Sequence, residues 1–434
     1  MLLSTFALIC PMILVLSSLA FLPLILPKFW EKYEIRLLSV ISILSVVADL
    51  TYIPHANRLI SHAIFQDYLP FIIMLFTLFT LSNGINITVD AKPSTFGNIV
   101  FLVIGGALSS LIGTTGSAML LIKPFLTFNK KRQLKQHLVI FFIIIIANVG
   151  GILTPLGDPP LLLGYLNGID FTWLLIHMYK YWFFYILLCL IIFYVIDTVI
   201  LSKDENAREE IKNYDKPTSI SIDGILNIIL LVLTALILFM NLNLKISIGG
   251  LEVSSIYVKD SILLLFSGLS LRLRNKNIEE INFKPFIEVA RTFLVIFIVL
   301  APVLYLMQHN TNSIHKFLDS ISNDGKNIPT AYFLLCSLAS AFLDNAPSYL
   351  LFFKMSGCTA KELMTSSSQI LTAISVSSVV MGSLSYIGNA PNMMVKNISV
   401  NNKIKMPSFV AYCLYASAII IPISYLLIKL FNFY

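Results

Sequence analysis

The chain has 434 residues, of which 57% are apolar and only 12% charged, and its mean hydropathy is +0.84. A soluble domain carries about a quarter of its residues as charges, so a soluble enzyme or binding module is excluded. The net charge of +7 sits in loops flanking apolar segments and reads as membrane topology, not nucleic-acid binding.

Apolar segments follow one another at about 5–27, 36–54, 69–82, 98–123, 138–168, 172–201, 224–241, 260–272, 287–308, 330–353, 368–396 and 407–430. Several can span a hydrocarbon core ~30 Å thick. None alternates as barrel strands do, so the fold class is an all-α polytopic membrane protein. The first segment lacks a basic flank and a small-residue cleavage site, and is expected to be a retained helix. Cys10, Cys189, Cys336, Cys358 and Cys413 show no ligand-like spacing, so no metal or disulfide framework is expected. No phosphate loop of the G-x-x-x-x-G-K-[ST] type occurs. The polar stretch 202–223 reads as a linker between two halves.

A constant offset of 231 relates those halves. It carries Gly113-Thr114-Thr115-Gly116-Ser117 onto Asp344-Asn345-Ala346-Pro347-Ser348. It also carries Thr154-Pro155-Leu156-Gly157-Asp158 onto Ser385-Tyr386-Ile387-Gly388-Asn389. Basic residues mark loops 123–137, 272–286 and 396–406 as cytoplasmic, and the linker 202–223 is expected on the same side, whereas the repeat mate of the first, 354–368, carries few charges. The expected architecture is therefore two inverted-topology repeats. Each has five crossings and one re-entrant hairpin, over 98–123 and 330–353, with broken helices at the midplane. Both termini then face outward.

Proline and glycine in Thr154–Pro160 cannot continue a helix, and they leave Asp158 at a break inside an apolar segment. A carboxylate at that depth costs at least ~3 kcal/mol on insertion scales, so it needs a proton, a cation or a partner. The counterpart break, Ser385 to Asn392, offers amides in place of the charge. If the hairpin tips meet the breaks, Thr114, Thr115, Ser117, Thr154, Gly157, Asp158, Asp344, Asn345, Ser348, Ser385, Gly388, Asn389 and Asn392 form an oxygen-rich site. Asp158 and Asp344 are its candidate carboxylates for Na⁺ or H⁺. A helix-capping role for Asp158 and a turn role for Asp344 are the structural alternatives. Asp49 is a further apolar-segment carboxylate, while Asp197 and Glu288 read as interfacial.

At these motifs the chain resembles the ion transporter superfamily, through the runs NVGGILTPLGDPP (which contains Asn148), FLDNAPSYL and SYIGNAPN. The resemblance is to the branch described as sodium:proton antiporter or citrate-transporter-like. It implies scaffold regions over 1–97 and 224–329, transport regions over 98–201 and 330–434, and a homodimer in the membrane lipid. It implies no organic cofactor, with Na⁺ or H⁺ as coupling ion. The first tip lacks the Ser-Asn-Thr string of the dicarboxylate carriers, which speaks against a dicarboxylate cargo. The expected function is secondary transport by alternating access, with cation/proton antiport first. The alternative is cation-coupled symport of citrate or another small organic anion.

Overall fold

The computed structural model describes residues 2–90, 92–205, 208–209, 219–240, 246–248, 251–253, 255–273, 281–309 and 328–431. Eight helices among them are long and apolar enough to cross a membrane. With backbone groups satisfied within each segment, helices are what an apolar chain of this length can place in lipid. The protein is an all-α, multi-pass membrane protein.

The first half opens with α1 (Leu2–Ile25) and α2 (Pro27–Tyr52). Next comes α3 (Ala56–His62), which runs through a π-helical stretch at Ala63–Tyr68 into α4 (Leu69–Asn83). The crossing expected over 69–82 is thus a single 28-residue helical span from Ala56 to Asn83. Polar His55, Arg58, His62, Gln66 and Asp67 hid its first turns. Pro70 accounts for the π turns, because its ring displaces the carbonyl four residues back and the turn before it widens.

Two helical pairs follow the same plan. In the first, α5 (Thr95–Ile112) and α6 (Thr114–Phe128) are joined by Gly113 and pack along each other. In the second, α13 (Ile328–Leu343) and α14 (Asn345–Met355) are joined by Asp344. Each pair is followed by a broken helix. The first break runs from α7 (Gln136–Ile145) through a 3-10 turn at Val149–Leu153 to α8 (Pro159–Leu166). The second runs from α16 (Ser368–Met381) through Gly382–Leu384 to α17 (Ala390–Asn401). A short α15 (Ala360–Met364) precedes α16, and α9 (Phe171–Lys203) and α18 (Phe409–Leu430) close the two halves. Between them lie α10 (Ile225–Phe239), α11 (Ser255–Arg272) and α12 (Lys284–His309).

The core is built around α7. Every residue from Leu138 to Ala147 is buried, so this apolar run is surrounded by protein and not by lipid. Lipid-facing character belongs to helices such as α2, where Ile35, Val40, Ile43, Leu44, Val47 and Leu50 are exposed on one side.

Strands were not expected. Asn86–Asp90 (β1) pairs antiparallel with Ser219–Asp223 (β2), and Ile246–Ile248 (β3) pairs with Leu251–Val253 (β4). The linker expected over 202–223 therefore ends in a strand, while its residues 206–207 and 210–218 lie outside the described residues. So do residues 274–280 of the basic loop expected over 272–286.

Candidate functional site

The site begins with two chain reversals that only an unusual backbone allows. Gly113, at the tip of the first pair, has φ +82° and ψ 151°, a conformation nearly reserved for glycine. Asp344, 231 residues later, adopts φ 75° and ψ 145° despite its side chain. The Thr114 amide beyond the first tip donates to Gly157 O at 2.7 Å, which fastens that tip to the first helix break.

Both breaks are held in one way. Thr154 Oγ1 donates to Ser110 O, and Ser385 Oγ donates to Ala341 O; each pair of partners is 231 residues apart across the halves. Leu156 N donates to Thr154 Oγ1 and Ile387 N to Ser385 Oγ, each at 3.2 Å. A side chain at Gly157 would lie 2.2 Å from Gly151 O, and one at Gly388 would lie 2.6 Å from Gly382 O. Glycine is required at both because the backbone folds onto itself there.

The two halves converge on Asp158, which is 2% exposed. Its Oδ1 accepts from Thr114 Oγ1 at 2.5 Å and from Asn389 Nδ2 at 3.1 Å, and its Oδ2 accepts from Asn345 Nδ2. Thr114 and Asn345 are repeat mates, and so are Asp158 and Asn389. An amide chain extends the network: Asn389 Nδ2 reaches Asn148 Oδ1 (3.2 Å), and Asn148 Nδ2 donates to Asn392 Oδ1 (2.7 Å). Asn392 Nδ2 then donates to Gly382 O and Ser385 O, both at 2.8 Å. Asn345 Oδ1 is buried and has no hydrogen-bond partner.

Asp158 opens on a cavity of about 50 Å³ whose walls include Leu78, Phe79, Phe286 and Met394. Among the described residues no lysine or arginine lines it, and Asp158 is the only ionisable side chain there. Asp158 stands at the N-cap of α8 but makes no capping bond. Its carboxylate is turned toward the opposite half.

A family model described as "Putative citrate transport" (CitMHS_2) matches residues 3–433. The chain belongs to this family. It is therefore a secondary transporter and not an enzyme. No curated protein matches the chain.

The remaining expected site residues of this citrate-transport family member fall into two groups. Thr115 lines the cavity, and Ser117 is buried with an unpartnered Oγ. Ser348 and Asp344 serve their own helix: Ser348 Oγ donates to Asp344 O at 2.7 Å, and Asp344 Oδ1 accepts from Ala346 N at 3.2 Å. Asp344 thus makes the capping bond that Asp158 lacks, and it takes no part in the hydrogen bonds around Asp158. Among the described residues, no group of three His, Cys, Asp or Glu side chains could hold a metal ion.

Asp197 needs correction. Expected at an interface, it is fully buried, 2.5 Å from Arg132 Nη2 and 2.8 Å from His137 Nε2. Arg132 comes from the basic loop expected to be solvated, and sequence spacing offers no link between positions 65 residues apart. Glu288 is exposed.

Proposed function

We propose that the protein is a cation-coupled secondary transporter in which Na⁺ or H⁺ is exchanged at Asp158 and the cargo is a citrate-like organic anion. The observation that carries the coupling role is the company of the Asp158 carboxylate: one hydroxyl and two amides from both halves, and no basic side chain among the described residues. A hydroxyl can donate or accept, and an amide carries both a donor and an acceptor end. Asn345 already holds an unpartnered Oδ1, so a turn of its amide would offer an acceptor to a protonated Asp158 or to a bound cation. A buried carboxylate among such neighbours tolerates both an ionised and a neutralised state, which a coupling site must do.

The cargo rests on the family description. An anion entering beside Asp158 meets a negative charge and, among the described residues, no basic side chain, so the coupling ion must bind first. The positive dipole ends of α8 and α17, which begin at Pro159 and Ala390, then favour the anion.

The second reading, cation/proton antiport, draws on that same lack of a lysine or arginine in the cavity wall. Proteoliposomes with an internal pH dye separate the two. Labelled citrate uptake that requires an inward Na⁺ or H⁺ gradient and vanishes in Asp158→Asn supports symport. A cation-driven pH change without organic anion supports antiport.

In this reading alternating access works through halves inverted about an axis in the membrane plane, each with five crossings and one re-entrant hairpin. The shared offset of 231 in backbone turns and hydrogen bonds supports this, as does the charge of the loops. Single cysteines in 123–137 and in 354–368 should then be labelled by impermeant thiol reagents from opposite sides.

A further inference from the structure

Helix α2 carries a polar seam on its buried face, far from the helix breaks in sequence. Ser42, Ser45 and Asp49 follow one another at helical spacing and are all buried, on the side that packs against α1 and α12. Ser42 Oγ is satisfied by Leu38 O at 2.9 Å. The others are not: Ser45 Oγ and both carboxylate oxygens of Asp49, which is 0% exposed, have no hydrogen-bond partner. The described titratable side chains of the packed helices are Cys10 on α1, Lys284, Glu288, Arg291 and Tyr305 on α12, and Arg58 and His62 on α3. None of them hydrogen-bonds or ion-pairs with Asp49.

An ionised carboxylate cannot stay in such a place, because nothing repays its lost hydration. Something must neutralise it. A metal cation would need a shell of several oxygens, yet among the described residues three unpartnered side-chain oxygens are present here, two of them on one carboxyl. A proton needs one. Residues i and i+4 are neighbours on a helix, so a protonated Asp49 can donate to Ser45 Oγ directly below it.

We propose that Asp49, with Ser45, is a proton-binding site in the helical bundle of α1, α2 and α12, separate from the Asp158 network. The proton comes from bulk water and adds to one carboxylate oxygen, with no other bond made or broken. Ala48, beside Asp49 in sequence, packs with Leu59 and Tyr305 on the apolar cluster of Leu8, Ile53 and Ala56, and Leu59 and Tyr305 also line a separate cavity of about 90 Å³. That cavity holds Lys354 and the His62–Asp67 pair, 3.2 Å apart. The proposal is independent of the cargo and of the coupling ion at Asp158.

Infrared spectra of the full chain in lipid nanodiscs at neutral pH test it, using the Asp158→Asn background so that Asp158 contributes no signal. A protonated carboxyl gives a C=O stretch that a carboxylate lacks. We expect this band to lose intensity when Asp49→Asn is added; an unchanged band overturns the proposal. Should the double variant not fold, labelling of the wild-type chain with a hydrophobic carbodiimide, followed by peptide mass spectrometry, decides. The reagent adds to protonated buried carboxyls. An adduct at Asp49 supports the proposal, and labelling elsewhere with Asp49 unmodified overturns it.

Discussion

At Thr154 and again at Ser385 a hydroxyl ties a broken helix to the hairpin before it, and at Gly157 and Gly388 the backbone folds against itself in the same way. Asp158 and Asn389 stand at matching positions with nearly equal backbone angles, φ −150°, ψ 147° and φ −154°, ψ 138°. One carries a charge and the other an amide, and the amide donates to the charge. The two halves thus repeat a shape but divide the chemistry. Duplicated carboxylates facing each other would repel, whereas a carboxylate facing its mate's amide makes one bond from two related positions.

This division predicts where variants act. The largest effect belongs to Asp158→Asn, which puts an amide in both halves. Coupled transport in proteoliposomes should fall by at least about 100-fold, the scale on which loss of a proton-transferring group acts, while the protein still elutes as a folded species. The exchange Asp158→Asn with Asn389→Asp restores one charge and one amide in the opposite order. We expect it to recover transport above the single Asp158→Asn variant, and no recovery would mean that the side of the charge matters as much as its presence.

The halves also differ at Arg132. Its mate at the same offset is Leu363, also fully buried, so one half fills the position with an ion pair and the other with a hydrocarbon. Asp197→Asn leaves Arg132 buried without its counter-charge and should cost about 3–5 kcal/mol, read as a fall in thermal stability. The double change Arg132→Leu with Asp197→Leu imitates the second half and should recover most of that loss, since apolar replacement of a buried ion pair is often neutral.

The smallest effect is expected at the hairpin tips. Gly113→Ala forces a side chain into φ +82° and should cost about 1–3 kcal/mol. Asp344→Gly removes the bond to Ala346 N but relieves the same strain, so its net change in stability should stay within about 1 kcal/mol. Transport by Asp344→Gly is the sharper readout: it should fall less than in Asp158→Asn, because the Asp344 side chain faces its own helix.

Features written in neighbouring residues were legible in the sequence. Proline and glycine broke the helices at Thr154 and Ser385 because their restrictions act within one turn, and Asp158 stood out because a charge in an apolar run has a cost at that position alone. The offset of 231 then brought Thr114, Asn345 and Asn389 forward as candidates. What sequence could not show depends on distant partners. Asp344 and Asp158 look alike as intramembrane carboxylates, and only their hydrogen bonds show that one caps its own helix. Arg132 looks like any other residue of a basic loop until Asp197 is placed beside it. The π turns before Pro70 were masked because the polar residues there suggested a loop.

The β1–β2 ribbon has a consequence for how the chain could be assembled. Five residue pairs, Asn86↔Asp223 through Asp90↔Ser219, stitch the end of the α4 region to the start of α10. Below the ribbon, Asn227 Nδ2 donates to Gly84 O at 2.8 Å and Ser270 Oγ donates to Asn227 Oδ1 at 2.5 Å. A gene split between codons 205 and 219 would therefore leave every one of these seams intact. Separately translated 1–205 and 219–434 would keep this edge, and their co-purification after co-expression measures whether the edge alone can hold the halves together.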